Sequence, residues 1–180
     1  MDKGKIIFLN GVSCSGKTTL AKTLQERLTE PFYSLSLDTF INSAPEKYFS
    51  APDGRKIVNR AVSVLPHTIK IFSDMGLNVV ADHVFLNMDG LMEECVEALH
   101  EYPVLFVHVT CPPEELRRRE GQRGVAVGTA ERQLTMLVPR DTYDLTVDTT
   151  DESSVNKIIE ALRRPEDFTA FKALWAAKIF

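Results

Sequence analysis

Residues 11 to 18 combine two glycines, a lysine and a threonine at the spacing of a phosphate-binding loop. The segment runs Gly-Val-Ser-Cys-Ser-Gly-Lys-Thr between a short apolar run and a stretch with helical periodicity. Its glycines allow the tight turn that aims backbone N–H groups at phosphate oxygens. A plain glycine turn with a surface lysine is disfavoured by the strand before and the helix after. The pattern predicts a nucleoside triphosphate site formed by Gly11, Val12, Ser13, Cys14, Ser15, Gly16, Lys17, Thr18 and Thr19.

Two side chains of this loop have further chemistry. Lys17 is placed to reach the β- and γ-phosphates, and the Thr18 hydroxyl is placed to bind Mg²⁺. Asp82, at the end of the predicted third strand, adds a carboxylate that could meet magnesium-bound waters or the acceptor. We therefore expect ATP and Mg²⁺ as cofactors, with Thr18 and Asp82 as the magnesium residues.

Asp38 is the candidate general base. It comes directly after the predicted second strand, at the edge of the sheet where the phosphates would lie, and it could accept the proton of a substrate hydroxyl. Aspartate is also a common N-cap, so Asp38 could instead cap a helix that begins at Thr39. Spacing alone does not separate these two interpretations.

An arginine-rich segment supplies candidate cations. Arg119 and Arg123 are four residues apart and could share one helical face, from which they would close over a transferring phosphate. The alternative is an ordinary solvated helix face. His83, next to Asp82, is also ambiguous, because a histidine beside a strand end is more often a satisfied polar residue than a catalytic one.

The candidate residues need a scaffold, and the apolar pattern provides one. Short runs rich in β-branched residues predict strands at 6–9, 33–37, 77–81, 104–109 and 145–147. Helical periodicity predicts helices at 18–28, 57–75, 88–100, 113–120, 130–138 and 152–162. This alternation predicts an α/β chain with three α/β/α layers, built on a five-stranded, mainly parallel sheet.

The spacing of apolar residues also predicts the structure of the C-terminal segment, and the absence of a linker in the sequence predicts the domain organisation. A last helix is expected to open near Pro165 and to pack on the body through Phe168, Phe171, Leu174, Trp175 and Ile179. No repeat or linker divides the 180 residues, so we expect a single domain over 1–180. Within it, a lid is expected at about 117–128 and an acceptor-side segment at about 38–72.

Composition and net charge limit the kinds of partner that the chain is expected to bind. The chain has 44% hydrophobic residues and a formal charge of −4, which leaves no general basic field for nucleic acid. No apolar run approaches the length of a membrane span. Three widely spaced cysteines, Cys14, Cys95 and Cys111, suggest neither a disulfide framework nor a zinc site. We expect a cytoplasmic protein with a small hydroxylated substrate and without a nucleic acid or membrane partner; the oligomeric state stays open.

Other classes of P-loop protein fit less well. A GTPase needs an Asn-Lys-x-Asp segment, and the pair Asn156-Lys157 is instead followed by two isoleucines within a helical pattern. A motor or transport ATPase usually carries larger transmission elements. A compact phosphoryl-transfer enzyme remains, with a non-catalytic nucleotide-binding regulatory module as the alternative from another class.

The chain resembles the chloramphenicol phosphotransferase family, kinases that modify a hydroxyl of an antibiotic and are related to shikimate and adenylylsulfate kinases. The matching residues are Leu9-Asn10-Gly11 with the phosphate loop, Asp38-Thr39, Asp82-His83-Val84-Phe85-Leu86, Arg119-Glu120 with Arg123-Gly124, Tyr143-Asp144-Leu145 and Val147-Asp148-Thr149-Thr150. The resemblance implies a P-loop kinase-like three-layer α/β/α fold and an ATP-dependent O-phosphotransferase. A metabolite kinase of the shikimate, adenylylsulfate or zeta-toxin type is the alternative.

The resemblance also implies roles for residues. It makes Asp38 the catalytic base, Lys17 the phosphate ligand and Arg119 with Arg123 the lid cations, and it places residues 147–150 beside the adenine. Two departures stand out. His83 replaces the second of two acids common after the third strand, and Val125-Ala126 replaces an Asp-Arg pair that is frequent in the lid. The resemblance thus supports kinase chemistry better than it supports chloramphenicol as the acceptor.

Overall fold

The computed structural model describes residues 2–48, 50, 52–87 and 90–178, with the backbone alone for Ile41 and Arg55. These residues form a five-stranded parallel sheet in the order β2-β3-β1-β4-β5. The strands are β1 (Ile6–Asn10), β2 (Phe32–Ser36), β3 (Asn78–His83), β4 (Val104–Thr110) and β5 (Leu145–Asp148). The predicted parallel sheet is confirmed.

Helices cover both faces of this sheet. They are α1 (Lys17–Arg27), α2 (Leu37–Ile41), α3 (Gly54–Val62), α4 (Val64–Asp74), α5 (Leu91–Leu99), α6 (Pro113–Arg123), α7 (Thr129–Met136), α8 (Ser154–Ala161) and α9 (Ala170–Ala177), with short 3₁₀ turns at Glu46–Tyr48 and Pro165–Asp167. Within the described ranges, no helix is both long and apolar enough to span a membrane.

The central strand shows why apolar residues are buried on both faces of the sheet. Ile6 and Phe8 belong to one apolar cluster, which also contains residues of α4, α5 and α9, whereas Ile7 and Leu9 belong to a second cluster with residues of α1 and α8. Successive side chains of a strand point to opposite faces, so residues 6–9 of β1 must be apolar to be covered on both sides. The predicted three-layer arrangement is confirmed.

The strand register brings polar residues together at one edge. Asp82 lies beside Leu9 on one side and Ser36 on the other, and His83 lies beside Asn10. All of these residues are at the carboxyl ends of their strands, where parallel α/β sheets bind ligands. The segments that follow β1, β2 and β3 therefore meet above this edge.

The predicted helix at 57–75 is wrong as a single element. The chain forms α3 and α4, separated at Ser63. Pro66 is the third residue of α4, so it has no N–H to donate to the Val62 carbonyl, and its ring would crowd that carbonyl in a continuous helix. A proline is tolerated in a first turn, and α4 accordingly starts just before it.

The ends of two further helices differ from the prediction. The helix predicted at 88–100 begins at Leu91, after Gly90 with φ +67°, and residues 88 and 89 lie outside the described part of the chain. In the tail, the α-helix begins at Ala170 rather than near Pro165. The carboxylate of Asp144 accepts hydrogen bonds from the amides of Ala170 (2.9 Å), Thr169 and Phe106, which joins the start of α9 to the sheet.

The tail packs largely as predicted. Phe168, Phe171 and Leu174 are buried in the two core clusters. Trp175 is 40% exposed and stacks on His100 of α5, with ring centroids 4.5 Å apart. The fifth predicted packing residue, Ile179, lies outside the described residues.

A buried polar network stabilises the end of β1. The fully buried Asn10 donates to the Val138 carbonyl and to the Tyr143 hydroxyl, both at 2.8 Å, and its side-chain oxygen accepts from the Phe85 amide at 3.0 Å. Buried polar groups are costly unless they are paired, and these three bonds pair this one. The network ties the strand that leads into the phosphate loop to the segments after β3 and α7.

Candidate active site

The loop between β1 and α1 needs its glycines for two different reasons. A Cβ atom on Gly11 would lie 2.3 Å from the carbonyl oxygen of Val109 in β4, so the loop start leaves no room for a side chain. Gly16 has φ +101° and faces Arg119 and Thr149 at close range. Glycine adopts this left-handed conformation without strain. The predicted tight turn is present at the N-terminus of α1.

Lys17 is buried at this turn. Its Nζ atom donates hydrogen bonds to the carbonyl oxygens of Gly11 (2.9 Å) and Val12 (3.0 Å). Burial lowers the pKa of the ammonium group to about 8, although Asp82 acts in the opposite direction. The structure thus places a desolvated cation inside the loop, next to the cavity described below.

Thr18 and Asp82 are in direct contact. The Thr18 hydroxyl donates to the Asp82 carboxylate at 2.9 Å, which joins the start of α1 to the end of β3. Adjacent hydroxyl and carboxylate oxygens fit Mg²⁺, which binds through few protein oxygens and completes its shell with water and phosphate. The described residues contain no group of three or more histidine, cysteine or acidic side chains that could hold a metal without such help.

A central cavity of about 460 Å³ opens above this pair. It is lined by Ser13, Cys14, Lys17, Thr18, Ser36, Leu37, Asp38, Asp82, His83, Val84, Leu86, Arg123, Val125 and Gln133. The structure therefore brings most of the predicted site residues to one space, together with several that the sequence reasoning did not single out.

The position of Asp38 resolves one of the alternatives. Helix α2 begins at Leu37, and Ser36 is its N-cap, with the Ser36 amide donating to the Thr39 hydroxyl at 3.3 Å. The interpretation of Asp38 as the cap of a helix that starts at Thr39 is therefore wrong. Asp38 is exposed on the first turn of α2, and its carboxylate accepts no hydrogen bond from the described side chains or amides.

The two predicted lid arginines differ in position. Arg119 is anchored, because it donates to the Ser15 carbonyl (3.1 Å), the Thr149 hydroxyl (3.0 Å) and the Glu115 carboxylate (2.7 Å). The guanidinium groups of Arg118 and Arg119 lower the pKa of Glu115 to about 2. Arg123 lines the central cavity, whereas Arg119 does not. Of this pair, Arg123 alone reaches the space beside Asp38.

A second cavity lies on the other side of the phosphate loop. This α8 cavity, of about 420 Å³, is lined by Cys14, Gly16, Thr19, Leu20, Thr23, Glu115, Arg118, Arg119, Gln122, Arg123, Thr149, Asp151, Glu152, Ser154 and Val155. Thr149 donates to the Ser15 carbonyl at 2.6 Å, which attaches the segment after β5 to the loop. This is the segment expected beside the adenine.

A third cavity extends the central one away from the loop. This α3 cavity, of about 330 Å³, is lined by Leu37, Val58, Asn59, Val62, Ser63, His83, Leu91 and Glu94. Leu37 and His83 line both spaces. The α3 residues fall within the expected acceptor-side segment at about 38–72, whereas Leu91 and Glu94 of α5 carried no signal in the sequence, because only the packing of that helix brings them to β3.

His83 lies at the junction of the central and α3 cavities. It is 8% exposed, its ring contacts Phe85 edge to face with centroids 5.2 Å apart, and burial lowers its pKa to about 3. Within the described residues its ring nitrogens have no hydrogen-bond partner. The interpretation as a satisfied polar residue does not hold there, and His83 presents a neutral imidazole to the cavities.

Two further side chains were not predicted. The buried carboxylate of Glu120 accepts hydrogen bonds from the amides of Gly128 (2.8 Å) and Ala130 (2.6 Å), which lower its pKa and cap the start of α7. Gln133 of α7 accepts a hydrogen bond from the Ser13 amide at 2.7 Å. Glu120 lies in an arginine-rich segment whose composition is typical of an exposed helix face, so the sequence carried no sign that it is buried. The bond between Ser13 and Gln133 joins residues 120 positions apart, and no local pattern indicates it.

Comparison with known proteins agrees with this geometry. The model of the chloramphenicol phosphotransferase-like protein family matches residues 4–164. Two proteins from strains of Mycobacterium tuberculosis, named provisionally as O-phosphotransferases, are each 28% identical over alignments covering 83% of this chain and 77% of the relative.

Solved structures show the same fold at low identity. The adenylylsulfate (APS) kinase CysC of Mycobacterium tuberculosis, in complex with AMPPNP and APS, has a TM-score of 0.68 at 15% identity over 91% of this chain and 99% of its own. Shikimate kinase from Acinetobacter baumannii, in complex with shikimate, has a TM-score of 0.61 at 18% identity over 89% and 92%. The family model covers most of the chain, so this protein is a phosphotransferase of the P-loop kinase fold that belongs to the chloramphenicol phosphotransferase-like family.

Proposed function

We propose that the protein transfers the γ-phosphoryl group of ATP to a hydroxyl of a small molecule bound in the central and α3 cavities. One observation carries the proposal. The central cavity brings together a phosphate-loop lysine, a hydroxyl–carboxylate pair suited to Mg²⁺, an arginine and an exposed carboxylate that has no hydrogen-bond partner among the described residues. These are Lys17, Thr18 with Asp82, Arg123 and Asp38. Phosphoryl transfer needs these groups and little else from the protein.

The two cavities beside the loop suggest how ATP lies. Its phosphates would follow the loop amides and the start of α1, with the γ-phosphate toward the central cavity and the base in the α8 cavity. The APS kinase of similar fold was solved with AMPPNP, which supports a nucleotide site in this fold. Thr18 and Asp82 would hold Mg²⁺, which, when bound, offsets the negative charge of the phosphates.

The transfer itself is a single displacement. The substrate oxygen forms a bond to the γ-phosphorus, the bond from that phosphorus to the bridging oxygen of ADP breaks, and the hydroxyl proton moves to the Asp38 carboxylate. Lys17 exchanges its carbonyl partners for phosphate oxygens, and Arg123 neutralises charge from the other wall. Asp38 suits the role of base because its oxygens have no competing partner among the described residues.

The α3 cavity suggests the shape of the acceptor. Its walls combine four apolar residues, which would lie against an apolar frame, with four polar ones, and it opens toward Asp38 through the central cavity. The apolar residues are Leu37, Val58, Val62 and Leu91, and the polar ones are Asn59, Ser63, His83 and Glu94. A compound with an apolar frame and a projecting hydroxyl would place that hydroxyl between Asp38 and the γ-phosphate. Chloramphenicol is one such compound, and the family match makes it the first to test.

The proposal is tested by incubating the protein with Mg²⁺, labelled ATP and a library of hydroxylated antibiotics and metabolites, and by detecting the compound that gains a phosphoryl group. We expect one structural class of acceptor to be modified. ATP binding without transfer to any compound would instead favour the non-catalytic nucleotide-binding module.

Lys17→Ala is the matched control for this assay. The variant removes the buried cation from the loop, so we expect both ATP affinity and transfer to fall by roughly tenfold or more, because the γ-phosphate loses a charge-assisted hydrogen bond. Calorimetry with ATP provides the measurement. An unchanged ATP affinity would contradict the assignment of residues 11–19 as the triphosphate site.

A further inference from the structure

The phosphate loop is contacted by a side chain from a distant part of the chain. Gln133 of α7 accepts a hydrogen bond from the Ser13 amide, with 2.7 Å between Oε1 and N. Ser13 and Gln133 both line the central cavity, and neither lines the α8 cavity. The contact therefore lies at the end of the loop that faces Asp38.

The chemistry of a carboxamide determines what Gln133 offers to this cavity. The Ser13 amide is a donor, so the oxygen of the Gln133 side chain must face it and the NH₂ group is the other branch of the same plane. Among the described residues this NH₂ group has no hydrogen-bond acceptor. An unused pair of donors thus stands at the wall of a cavity that also contains Lys17 and Arg123.

Besides the hydrogen bond between Gln133 and Ser13, contacts at both ends of α7 hold this helix in place. Glu120 caps the N-terminal end of α7 through the Gly128 and Ala130 amides. Beyond its C-terminal end, Leu137 forms an antiparallel bridge with Leu86. A donor on a helix fixed at both ends needs little reorganisation when a charged ligand arrives, which is the arrangement that stabilises developing charge best.

We infer that Gln133 is a ligand of the γ-phosphate: the Ser13 amide fixes its oxygen, and its NH₂ group donates to an oxygen of the terminal phosphoryl group. The inference rests on the proposed function for the direction in which the triphosphate lies. It adds a neutral donor to the cations of the central cavity, on the helix that follows the predicted lid. Nucleotides that lack the γ-phosphate gain nothing from it.

The test compares two nucleotides by calorimetry in the presence of Mg²⁺. AMPPNP carries the terminal phosphoryl group and ADP does not. Gln133→Leu keeps a similar volume without hydrogen-bonding groups. We expect it to weaken AMPPNP binding about tenfold, the usual effect of losing a hydrogen bond to a charged group, and to change ADP binding less than about twofold. Thr135→Ala is the control, because its exposed hydroxyl bonds only the Arg132 carbonyl of its own helix among the described residues.

A second variant separates a ligand from a structural tie. Gln133→Glu keeps an oxygen for the Ser13 amide but replaces the donor with a negative charge, so AMPPNP binding should weaken more than in Gln133→Leu while ADP binding again changes little. Equal loss for both nucleotides, tighter AMPPNP binding, or no change in either variant would overturn the inference. If the wild-type protein binds neither nucleotide, the proposed function fails as well.

Discussion

The two ends of the central cavity are built in different ways. The proposed phosphate end comes mainly from consecutive residues, 10 to 18, together with Asp82 at the neighbouring strand end and Arg123 and Gln133 from α6 and α7. The acceptor end, which continues into the α3 cavity, draws on α2, α3, β3 and α5. The first is rich in hydrogen bonds within the loop, whereas the walls of the α3 cavity are half apolar and half polar.

In the proposed function, this difference separates the residues that would bind the triphosphate from those that would select the acceptor. A contiguous loop can bind a triphosphate in much the same way whatever surrounds it, because its backbone amides and one lysine make most of the contacts with the phosphate oxygens. A pocket made where four elements meet changes shape with every adjustment of their packing. The predictions below test whether the two ends behave as separate functional units.

The largest effect is expected where the two ends meet. Asp38→Asn keeps the shape of the side chain but removes its ability to take the hydroxyl proton, so turnover should fall about 100-fold or more while ATP affinity stays the same. Steady-state kinetics and calorimetry provide the two measurements. Asp53→Asn, at an exposed carboxylate outside the described cavities, is the control. Equal turnover in Asp38→Asn and wild type would remove Asp38 as the base.

An intermediate effect is expected at the phosphate end alone. Burial lowers the pKa of Lys17 to about 8, so the ammonium form that phosphate binds is lost as the pH rises through that value. ATP affinity should therefore be about tenfold weaker at pH 9 than at pH 7. Calorimetry across this range measures it, with Lys17→Arg as a control that stays charged. A flat wild-type profile would contradict the role of the lysine.

The smallest effect is expected at the acceptor end alone. His83→Phe retains an aromatic ring against Phe85 but removes the imidazole nitrogens that face the cavities, so the KM for the acceptor should rise about fivefold through loss of one neutral hydrogen bond. The KM for ATP should not change. Kinetics with the acceptor found in the library, and His100→Phe at the stacked pair on α5 and α9 as control, provide the test. An unchanged acceptor KM would exclude His83 from recognition.

The phosphate end was largely predictable from sequence because its signals are local. The glycines, Lys17 and Thr18 are close together in the chain, and the rule that parallel strands bind ligands at their carboxyl ends was enough to bring Asp82 to Thr18. The sequence also contains a signal for the break between α3 and α4, because Pro66 is unfavourable inside a continuous helix. The prediction of one helix at 57–75 relied on apolar periodicity alone and missed it.

The acceptor end and the lid contacts were not predictable in the same way. The cap that Glu120 gives to α7 depends on how α6 and α7 cross, which no spacing encodes. The bond from Ser13 to Gln133 and the burial of His83 depend on tertiary packing between segments far apart in the chain. The capping role considered for Asp38 assumed a helix that begins at Thr39, whereas α2 begins two residues earlier, at Leu37. Helix boundaries are commonly uncertain by this amount.

The hydrogen bonds of Asn10 join β1 to the segments after β3 and α7, and none of them involves α2 or α3. The entrance to the phosphate loop is thus braced independently of the helices that enclose the acceptor. Under the proposed function, substitutions in those helices would alter which acceptor is phosphorylated and would leave ATP binding largely unchanged. Such a scaffold is suited to acquiring new substrates through changes at its periphery.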